Sequence, residues 1–281
     1  MVARLLIFLF NAIITEWIKP AHLDKEMSTI VKVQRILPVL LLIPLVALAA
    51  CSNAPAATAP AAQVAVPSTP ARASGPLDTS ACANVPDPTN VQVPANGNQQ
   101  RFTAPEQVVD TSHTYCAIFT TEHGRFIVEL YPKYAPQNVN NFAFLAQKGF
   151  YDNIGFHRVI SGFMAQTGDP TGTGSGGPGY DNIPLEVSSG LKYDSEGLVG
   201  VARTSAPNSA GSQFFITFNP VPGLDPARGN DGYTIIGKVA QGMDVVRQIR
   251  IRDVDQDPNA ASIAPEKLIS VRIVDLGVRS S

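Results

Sequence analysis

Two short segments hold the side chains of this chain that are best suited to chemistry. Residues 156–166 read Phe-His-Arg-Val-Ile-Ser-Gly-Phe-Met-Ala-Gln, and residues 211–216 read Gly-Ser-Gln-Phe-Phe-Ile. Arg158 is a permanent cation with several hydrogen-bond donors, and Phe163 and Met164 lie close behind it. A guanidinium cannot act as a general base, so Arg158 could contribute hydrogen bonds and charge to a site, whereas an arginine on a strand is otherwise usually a solvated surface charge.

The composition and the residue spacing argue against nucleic-acid binding, a metal site and a dinucleotide cofactor. The chain has 281 residues and a formal net charge of −2, so no global basic field would attract nucleic acid, and we expect no nucleic-acid partner. The four histidines lack ligand-like spacing with cysteines or carboxylates, and no metal site is predicted. Residues 172–177 match the dinucleotide pattern G-x-G-x-x-G formally, but Pro178 follows them where a helix should start. We therefore expect no cofactor.

Short apolar runs alternate with turn residues after about residue 110. A hairpin is predicted over 114–122 and 125–130, because β-branched and aromatic residues flank His123-Gly124. Proline at 136 and glycine at 149 are typical of the two ends of a helix. Further strands are predicted at 156–160, 163–167, 198–202, 213–218, 234–239 and 270–276, with a short helix at 243–249. Many short strands and two helices indicate a mainly β fold, a closed antiparallel barrel with helices over its open ends.

The ordered motifs resemble those of the cyclophilins, a family of peptidyl-prolyl isomerases. The motifs are Phe156-His157-Arg158, Gly162-Phe163-Met164-Ala165-Gln166, Gly168-Asp169, the glycine loop 172–179, Gly211-Ser212-Gln213-Phe214-Phe215-Ile216 and Ile235-Ile236-Gly237-Lys238-Val239. The resemblance covers residues 112–279. It implies a closed eight-stranded antiparallel barrel capped by two α-helices, and an enzyme that needs no cofactor.

The resemblance also assigns the site. It implies catalytic roles for three residues. Arg158 would face the substrate, Gln166 would orient Arg158, and Phe163 would lie in the apolar proline pocket. The implied substrate-binding residues are Met164, Gly174, Ala202, Arg203, Thr204, Gln213, Phe215, Leu224 and Tyr233. The substrates would be proline-containing polypeptides, and we expect a monomer. A non-catalytic chaperone or surface module that binds proline segments is the alternative, although pure binding would not need the donor.

Two positions depart from the family pattern. Gly223 stands where many cyclophilins have a tryptophan, and Tyr233 stands where many have a histidine. The family's tryptophan contacts the inhibitor cyclosporin, so the resemblance predicts weak cyclosporin binding with activity retained. Tyr233 keeps an aromatic wall at its position, so no loss of catalysis is implied.

The N-terminal segments are typical of an exported lipoprotein. Residues 27–50 contain a basic start, an apolar run and small residues, as a secretory signal does. Leu48-Ala49-Ala50-Cys51 resembles the bacterial lipobox, in which the cysteine receives the lipid. Residues 51–76 are rich in Ala and Pro and predict a disordered tether. These features predict a lipid-anchored protein on the extracytoplasmic face of the cell membrane; an uncleaved anchor or a plain signal with an incidental cysteine remain alternatives.

Residues 1–26 do not fit that order of parts. They contain a second apolar run, and Met27 directly precedes the signal. We therefore expect translation to start at Met27, with residues 1–26 outside the true protein; a genuine second membrane segment is the alternative.

Two cysteines remain besides the one assigned to lipid. Cys82 lies in an N-terminal extension, residues 77–111, and Cys116 lies in the first predicted strand. In an exported protein they could form one disulfide, or remain as free thiols with Cys116 in the core. Spacing alone does not decide between these.

Overall fold

The computed structural model describes residues 79–83, 85, 100–227 and 229–278. All of these residues belong to one compact unit, Ala65–Ser281. The predicted extension at 1–26, signal at 27–50 and tether at 51–76, with Cys51, lie outside the described residues. In the described part, no helix is long and apolar enough to cross a membrane.

The described chain folds into nine strands and two α-helices. The strands are β1 (His113–Thr121), β2 (Gly124–Leu130), β3 (Ile154–Gly155), β4 (Arg158–Ile160), β5 (Met164–Thr167), β6 (Leu198–Val201), β7 (Phe214–Thr217), β8 (Ile235–Gln241) and β9 (Lys267–Val278). The helices are α1 (Pro136–Gln147) and α2 (Met243–Val246). The predicted hairpin and both helices are present, although α2 ends three residues earlier than expected.

Local sequence explains where α1 begins and ends. Pro136 occupies its first turn, where a missing N–H is harmless. Gly149 has a φ of 69°, a left-handed conformation that glycine adopts without strain, so the chain turns away just after the helix. Val139 and Ala143 are fully buried against the sheet. The helix thus covers part of the core with its apolar side.

All nine strands form a single antiparallel sheet in the order β3-β9-β1-β2-β8-β6-β7-β5-β4. The two edge strands, β3 and β4, are separated by only two residues along the chain, so the sheet must curl until its edges come close together. Val159 of β4 also forms an isolated antiparallel bridge with Arg252. The mainly β antiparallel fold with two helices is confirmed.

Two details of the barrel differ from the prediction. The sheet has nine strands instead of eight, because the two-residue strand β3 pairs with β9, and such a short pairing leaves no periodic signal in the sequence. Among the described residues, no ladder joins β3 to β4. The sheet is therefore curled, with its two edge strands joined along the chain through residues 156 and 157, and is not closed by continuous pairing.

The buried apolar residues form three separate clusters. The largest is the main core, which lies between the curled sheet and its helices and includes Phe119, Phe126, Val159 and Phe214. A second cluster, which we call the outer cluster, packs against several half-buried apolar residues. Its buried members are Tyr131, Met164, Leu191, Tyr193, Leu198, Phe215 and Ile235. The third surrounds Cys82 and Cys116.

The cysteines of the third cluster are joined. Cys82 and Cys116 form a disulfide with a Cα–Cα distance of 5.7 Å, and both side chains are fully buried. The bond ties the extension to β1, the strand that pairs with both β2 and β9.

The extension is also held by α1. The Asn140 side-chain oxygen accepts hydrogen bonds from the N–H groups of Val108 (2.8 Å) and Val109 (3.1 Å), and its amide donates to the Glu106 carbonyl at 2.9 Å. Buried Val109 joins the main core. The described part of the extension is therefore a packed component of the fold and not a loose arm.

Candidate active site

Strand register positions the predicted catalytic residues. Arg158 of β4 pairs with Gln166 of β5, and Gln166 pairs with Phe215 of β7. Directly opposite residues of antiparallel strands lie on the same face of a sheet. The neighbouring row, Val159, Ala165 and Ile216, is fully buried in the main core. The row that carries Arg158 therefore points to the opposite, outer face.

A glycine allows an aromatic ring to lie across this outer face. Gly200 of β6 pairs with Phe215 of β7. A Cβ atom on Gly200 would lie 2.3 Å from Phe215 Cζ and 2.3 Å from the Tyr193 hydroxyl. Because real Cβ contacts are never so short, any side chain at position 200 would displace the ring. The glycine thus makes room for an apolar floor.

The outer cluster provides that floor and its walls. Met164 and Phe215 are almost completely buried, while Phe163, Ala202, Leu224 and Tyr233 are half-buried and pack against them. The Phe215 and Tyr233 rings are arranged edge to face with centroids 5.8 Å apart. The predicted proline-pocket residues therefore lie together in one apolar cluster.

The guanidinium of Arg158 lies at the border of the outer cluster. Its Nη1 atom is 4.0 Å from Met164 Sδ and donates to Gln166 Oε1 over a long 3.4 Å. On its opposite edge, Nε donates to Asp255 Oδ2 at 2.7 Å, and Nη2 forms an ion pair with the same oxygen at 2.5 Å. The side chain is 29% exposed. A cation with accessible donors thus lies beside an apolar surface.

Two glutamines connect Arg158 to the glycine loop. Gln166 Nε2 donates to Gln213 Oε1 at 2.9 Å, and Gln213 Nε2 donates to the carbonyls of Gly174 (2.9 Å) and Gly176 (3.0 Å). The amide of Gln166 is thereby oriented with its oxygen towards Arg158. Gln213 and Gly174, both predicted to bind substrate, lie at this polar end of the site.

A buried carboxylate shapes the glycine loop. Asp169 is fully buried and accepts hydrogen bonds from the backbone N–H groups of Thr171, Thr173, Gly174 and Gly176. Burial opposes ionisation of Asp169, but the hydrogen bonds outweigh it and hold the pKa of this carboxyl below its ordinary value. The glycines therefore form a tight turn around the Asp169 carboxylate, as expected for residues of a loop and not of a dinucleotide-binding motif.

The remaining predicted residues line a groove next to the outer cluster. Ala202, Arg203 and Thr204 border a cavity of about 540 Å³, together with the glycine loop and the two glutamines. Arg203 stacks over the Tyr233 ring, 5.0 Å from its centroid, and donates from Nε to the Gly232 carbonyl at 2.9 Å. The groove and the outer cluster meet at this stack, so an extended peptide could contact both.

Two residues near the site escaped the sequence analysis. Arg101 of the extension donates from Nη1 to the Gly177 carbonyl at 2.5 Å and lines the groove. Asp255, the partner of Arg158, follows it by 97 residues in the sequence. Neither lies in a motif or a periodic segment, so no local signal identified them.

His157 directly precedes Arg158 in the chain, and its ring lies next to Gly174 of the glycine loop. It is buried, and neither ring nitrogen has a hydrogen-bond partner among the described residues. Burial lowers the pKa of the imidazole, and the nearby Arg252 and Arg158 lower it further, against an opposing effect of Asp169. His157 is therefore held neutral as part of the packed support of the site.

The structure defines the class of this protein as a curled antiparallel β-sheet with two helices that carries a cation beside an apolar cluster on its outer face. The model of the family described as cyclophilin type peptidyl-prolyl cis-trans isomerase matches residues 116–278. The chain belongs to this family.

Individual relatives agree with the family match. A peptidyl-prolyl cis-trans isomerase-like 1 of Aspergillus fumigatus is 42% identical over 162 residues, which cover 57% of this chain and 96% of that protein. A peptidyl-prolyl cis-trans isomerase of Arabidopsis thaliana is 38% identical over 157 residues, covering 55% of this chain and 91% of that protein. A Cryptosporidium parvum cyclophilin type isomerase has a similar structure, with 32% identity and a TM-score of 0.50, covering 57% of this chain and 98% of that chain.

The burial of His157 predicts a loss of stability in acid. Because the folded state lowers its pKa from 6.5, the neutral ring stabilises the fold fully above about pH 6.5, and this contribution is lost as the pH falls through the lowered value. We expect the free energy of unfolding in urea to fall between pH 7.5 and 5.5, and to fall less in His157→Gln.

His113 is the matched control, because its hydrogen bond to Asp275 raises its pKa and gives it the opposite pH dependence. His113→Gln should therefore make the acid loss no smaller. An equal acid loss in wild type and His157→Gln would contradict the assignment.

Proposed function

We propose that this peptidyl-prolyl isomerase uses Arg158 as its catalytic donor and acts on X–Pro bonds of proteins outside the cytoplasmic membrane, assisting their folding. The activity itself follows from the family. The observation that supports the role of Arg158 is its position, with Nη1 against Met164 Sδ at the border of the outer cluster and its other edge held by Asp255.

The chemistry explains why such a donor helps. Rotation about an X–Pro bond has a barrier of about 18–20 kcal/mol because the amide resonance must be broken. At the twisted geometry the prolyl nitrogen becomes pyramidal and gains a lone pair. A hydrogen-bond donor aimed at that nitrogen stabilises the twisted state more than either planar isomer, and only such differential stabilisation lowers the barrier.

The apolar residues hold the ring during this rotation. Phe163, Met164, Phe215 and Leu224 would receive the pyrrolidine ring, since they belong to one apolar cluster and Met164 contacts Arg158. The ring then stays fixed while the preceding carbonyl swings. Gln166 would orient the guanidinium, and the segment 202–204, which follows β6, would bind the backbone of the substrate along the groove.

Replacing Arg158 with alanine should separate catalysis from binding. We expect Arg158→Ala to lower kcat by about 10²–10³-fold, since it removes a donor that acts mainly in the transition state. The affinity for a proline peptide, measured by NMR titration, should change much less. A proline-coupled peptide assay gives the rate.

Arg247→Ala is the matched control, because Arg247 is also ion-paired, to Glu196, and lies outside the site at the C-terminal end of α2. It should leave kcat unchanged. If Arg158→Ala weakens binding as much as it slows turnover, the protein acts as a module that binds proline segments.

Gly223 provides a test of inhibitor specificity. It is exposed on the 3₁₀ turn that carries Leu224, and a Cβ placed on it would meet nothing within 4 Å. We propose that wild type binds cyclosporin weakly because this position offers no ring. Gly223→Trp should tighten cyclosporin binding by about tenfold or more, as buried aromatic contacts do, with kcat retained.

Gly223→Ala is its control and should not change the affinity, because it adds no aromatic surface. Tight inhibition of the wild-type protein, measured by titration, would contradict the proposal.

We further propose that Cys51 is lipidated and anchors the protein to the extracytoplasmic face of the cell membrane. The lipobox-like Leu48–Cys51 sequence supports this, and two or more acyl chains suffice for stable anchoring. Cys51→Ser should move the protein from the membrane fraction to the soluble fraction of an expressing bacterium. Wild type recovered in the soluble fraction, or a mature N-terminus other than Cys51 by mass spectrometry, would contradict the anchor.

A further inference from the structure

The catalytic candidate Arg158 has a carboxylate partner outside the family motifs. Asp255 Oδ2 accepts a hydrogen bond from Nε at 2.7 Å and forms an ion pair with Nη2 at 2.5 Å, so one oxygen contacts both nitrogens of one edge of the guanidinium. On the other side, Nη1 donates to Gln166 Oε1 at 3.4 Å. The guanidinium is therefore held from two sides by acceptors on different elements.

The remaining hydrogens of Arg158 define what is left for a substrate. A guanidinium has five N–H groups in a rigid planar fork. Nε donates to Asp255, whose Oδ2 also lies 2.5 Å from Nη2, and Nη1 donates to Gln166 and, over 4.0 Å, to Met164 Sδ. The donors left for a substrate are therefore on the two terminal nitrogens, Nη1 and Nη2. Because the fork is planar, fixing two edges also fixes the direction of these donors.

The loop that carries Asp255 is attached to the strand that carries Arg158. Val159 and Arg252 exchange two backbone hydrogen bonds, at 3.0 and 2.9 Å. The Arg252 guanidinium donates to the carbonyls of His157 and Ile263. Within the loop, Asp253 Oδ1 accepts the N–H of Asp255 at 3.2 Å. Donor and carboxylate thus share one anchored scaffold, and their separation is set by the fold.

We propose that Asp255 is a positioning residue for isomerisation: it fixes the plane of the Arg158 guanidinium so that its Nη1 and Nη2 groups are held at the border of the apolar cleft. The proposal rests on the catalytic role of Arg158 proposed above. Asp255 acts through geometry, because its side chain is 48% exposed and solvent screens its charge. A donor that is already oriented needs no reorganisation when the prolyl nitrogen becomes pyramidal.

The charge and the contact can be separated by two substitutions. Asp255→Ala removes the acceptor, and we expect kcat to fall about tenfold, since small misplacement of a catalytic group is enough for losses of this size. KM for the proline peptide should stay within about twofold, because the apolar cluster is untouched. Asp255→Asn keeps an acceptor oxygen and should lose less than Asp255→Ala.

A double-mutant cycle tests whether Asp255 works through Arg158. In the Arg158→Ala background, Asp255→Ala should cause no further loss, because the group that it orients is absent. Rates at high protein concentration can be measured by NMR exchange between the cis and trans peptide signals. The ¹⁵N-detected Nε–H signal of Arg158 should exchange with water more rapidly in Asp255→Ala than in wild type, which reports the lost contact independently of activity.

Glu196→Ala is the matched control. It breaks the ion pair with Arg247, which has similar exposure but lies outside the site, and it should leave kcat unchanged. Wild-type kcat in Asp255→Ala, or an undiminished loss in the Arg158→Ala background, would overturn the positioning role. Full activity of Arg158→Ala itself would instead refute the proposed donor, so the two failures are distinguishable.

Discussion

The antiparallel register of β4, β5 and β7 is the constraint on which the site depends. It places Arg158, Gln166 and Phe215 in one row on the outer face of the sheet. The alternate row fills the main core. If β4 slipped by one residue, its two faces would be exchanged and the Arg158 guanidinium would enter the core. This register is excluded because burying an unpaired charge costs too much free energy. The same alternation that builds the core therefore also positions the site.

Supports behind the outer face keep this row in place. Asp169 accepts hydrogen bonds from the backbone N–H groups of Thr171 and of three residues of the glycine loop, and Gln213 links that loop to Gln166. Gly200 leaves the space in which the Phe215 ring lies. Polar and apolar halves of the site are thus each fixed by contacts that do not involve a substrate. Such preorganisation is what electrostatic stabilisation of a twisted amide requires.

Much of this arrangement was predictable because its signals are local. Runs of β-branched and aromatic residues identified the β1–β2 hairpin, and Pro136 and Gly149 marked the ends of α1. The residues of the apolar pocket were assigned from ordered motifs, and the structure places them in one cluster. The two-residue strand β3 and the open pairing between the sheet edges were not predicted, because neither has a periodicity that a sequence can show.

Contacts between segments that are far apart in the chain could not be predicted from the sequence either. Asp255 follows Arg158 by 97 residues, and Arg101 meets the glycine loop from 76 residues away. Each is one charged residue on a loop, and an isolated charge in sequence is typical of any solvated surface. Likewise, the spacing of Cys82 and Cys116 allowed two interpretations, and only the fold brings their Cα atoms to 5.7 Å.

The most direct measurement of the central claim is a crystal structure of the protein with a bound proline peptide. The account predicts the ring against Phe215 and Met164, with a guanidinium nitrogen of Arg158 within hydrogen-bond reach of the prolyl nitrogen; a guanidinium turned away from that nitrogen, or a ring bound elsewhere, would contradict it.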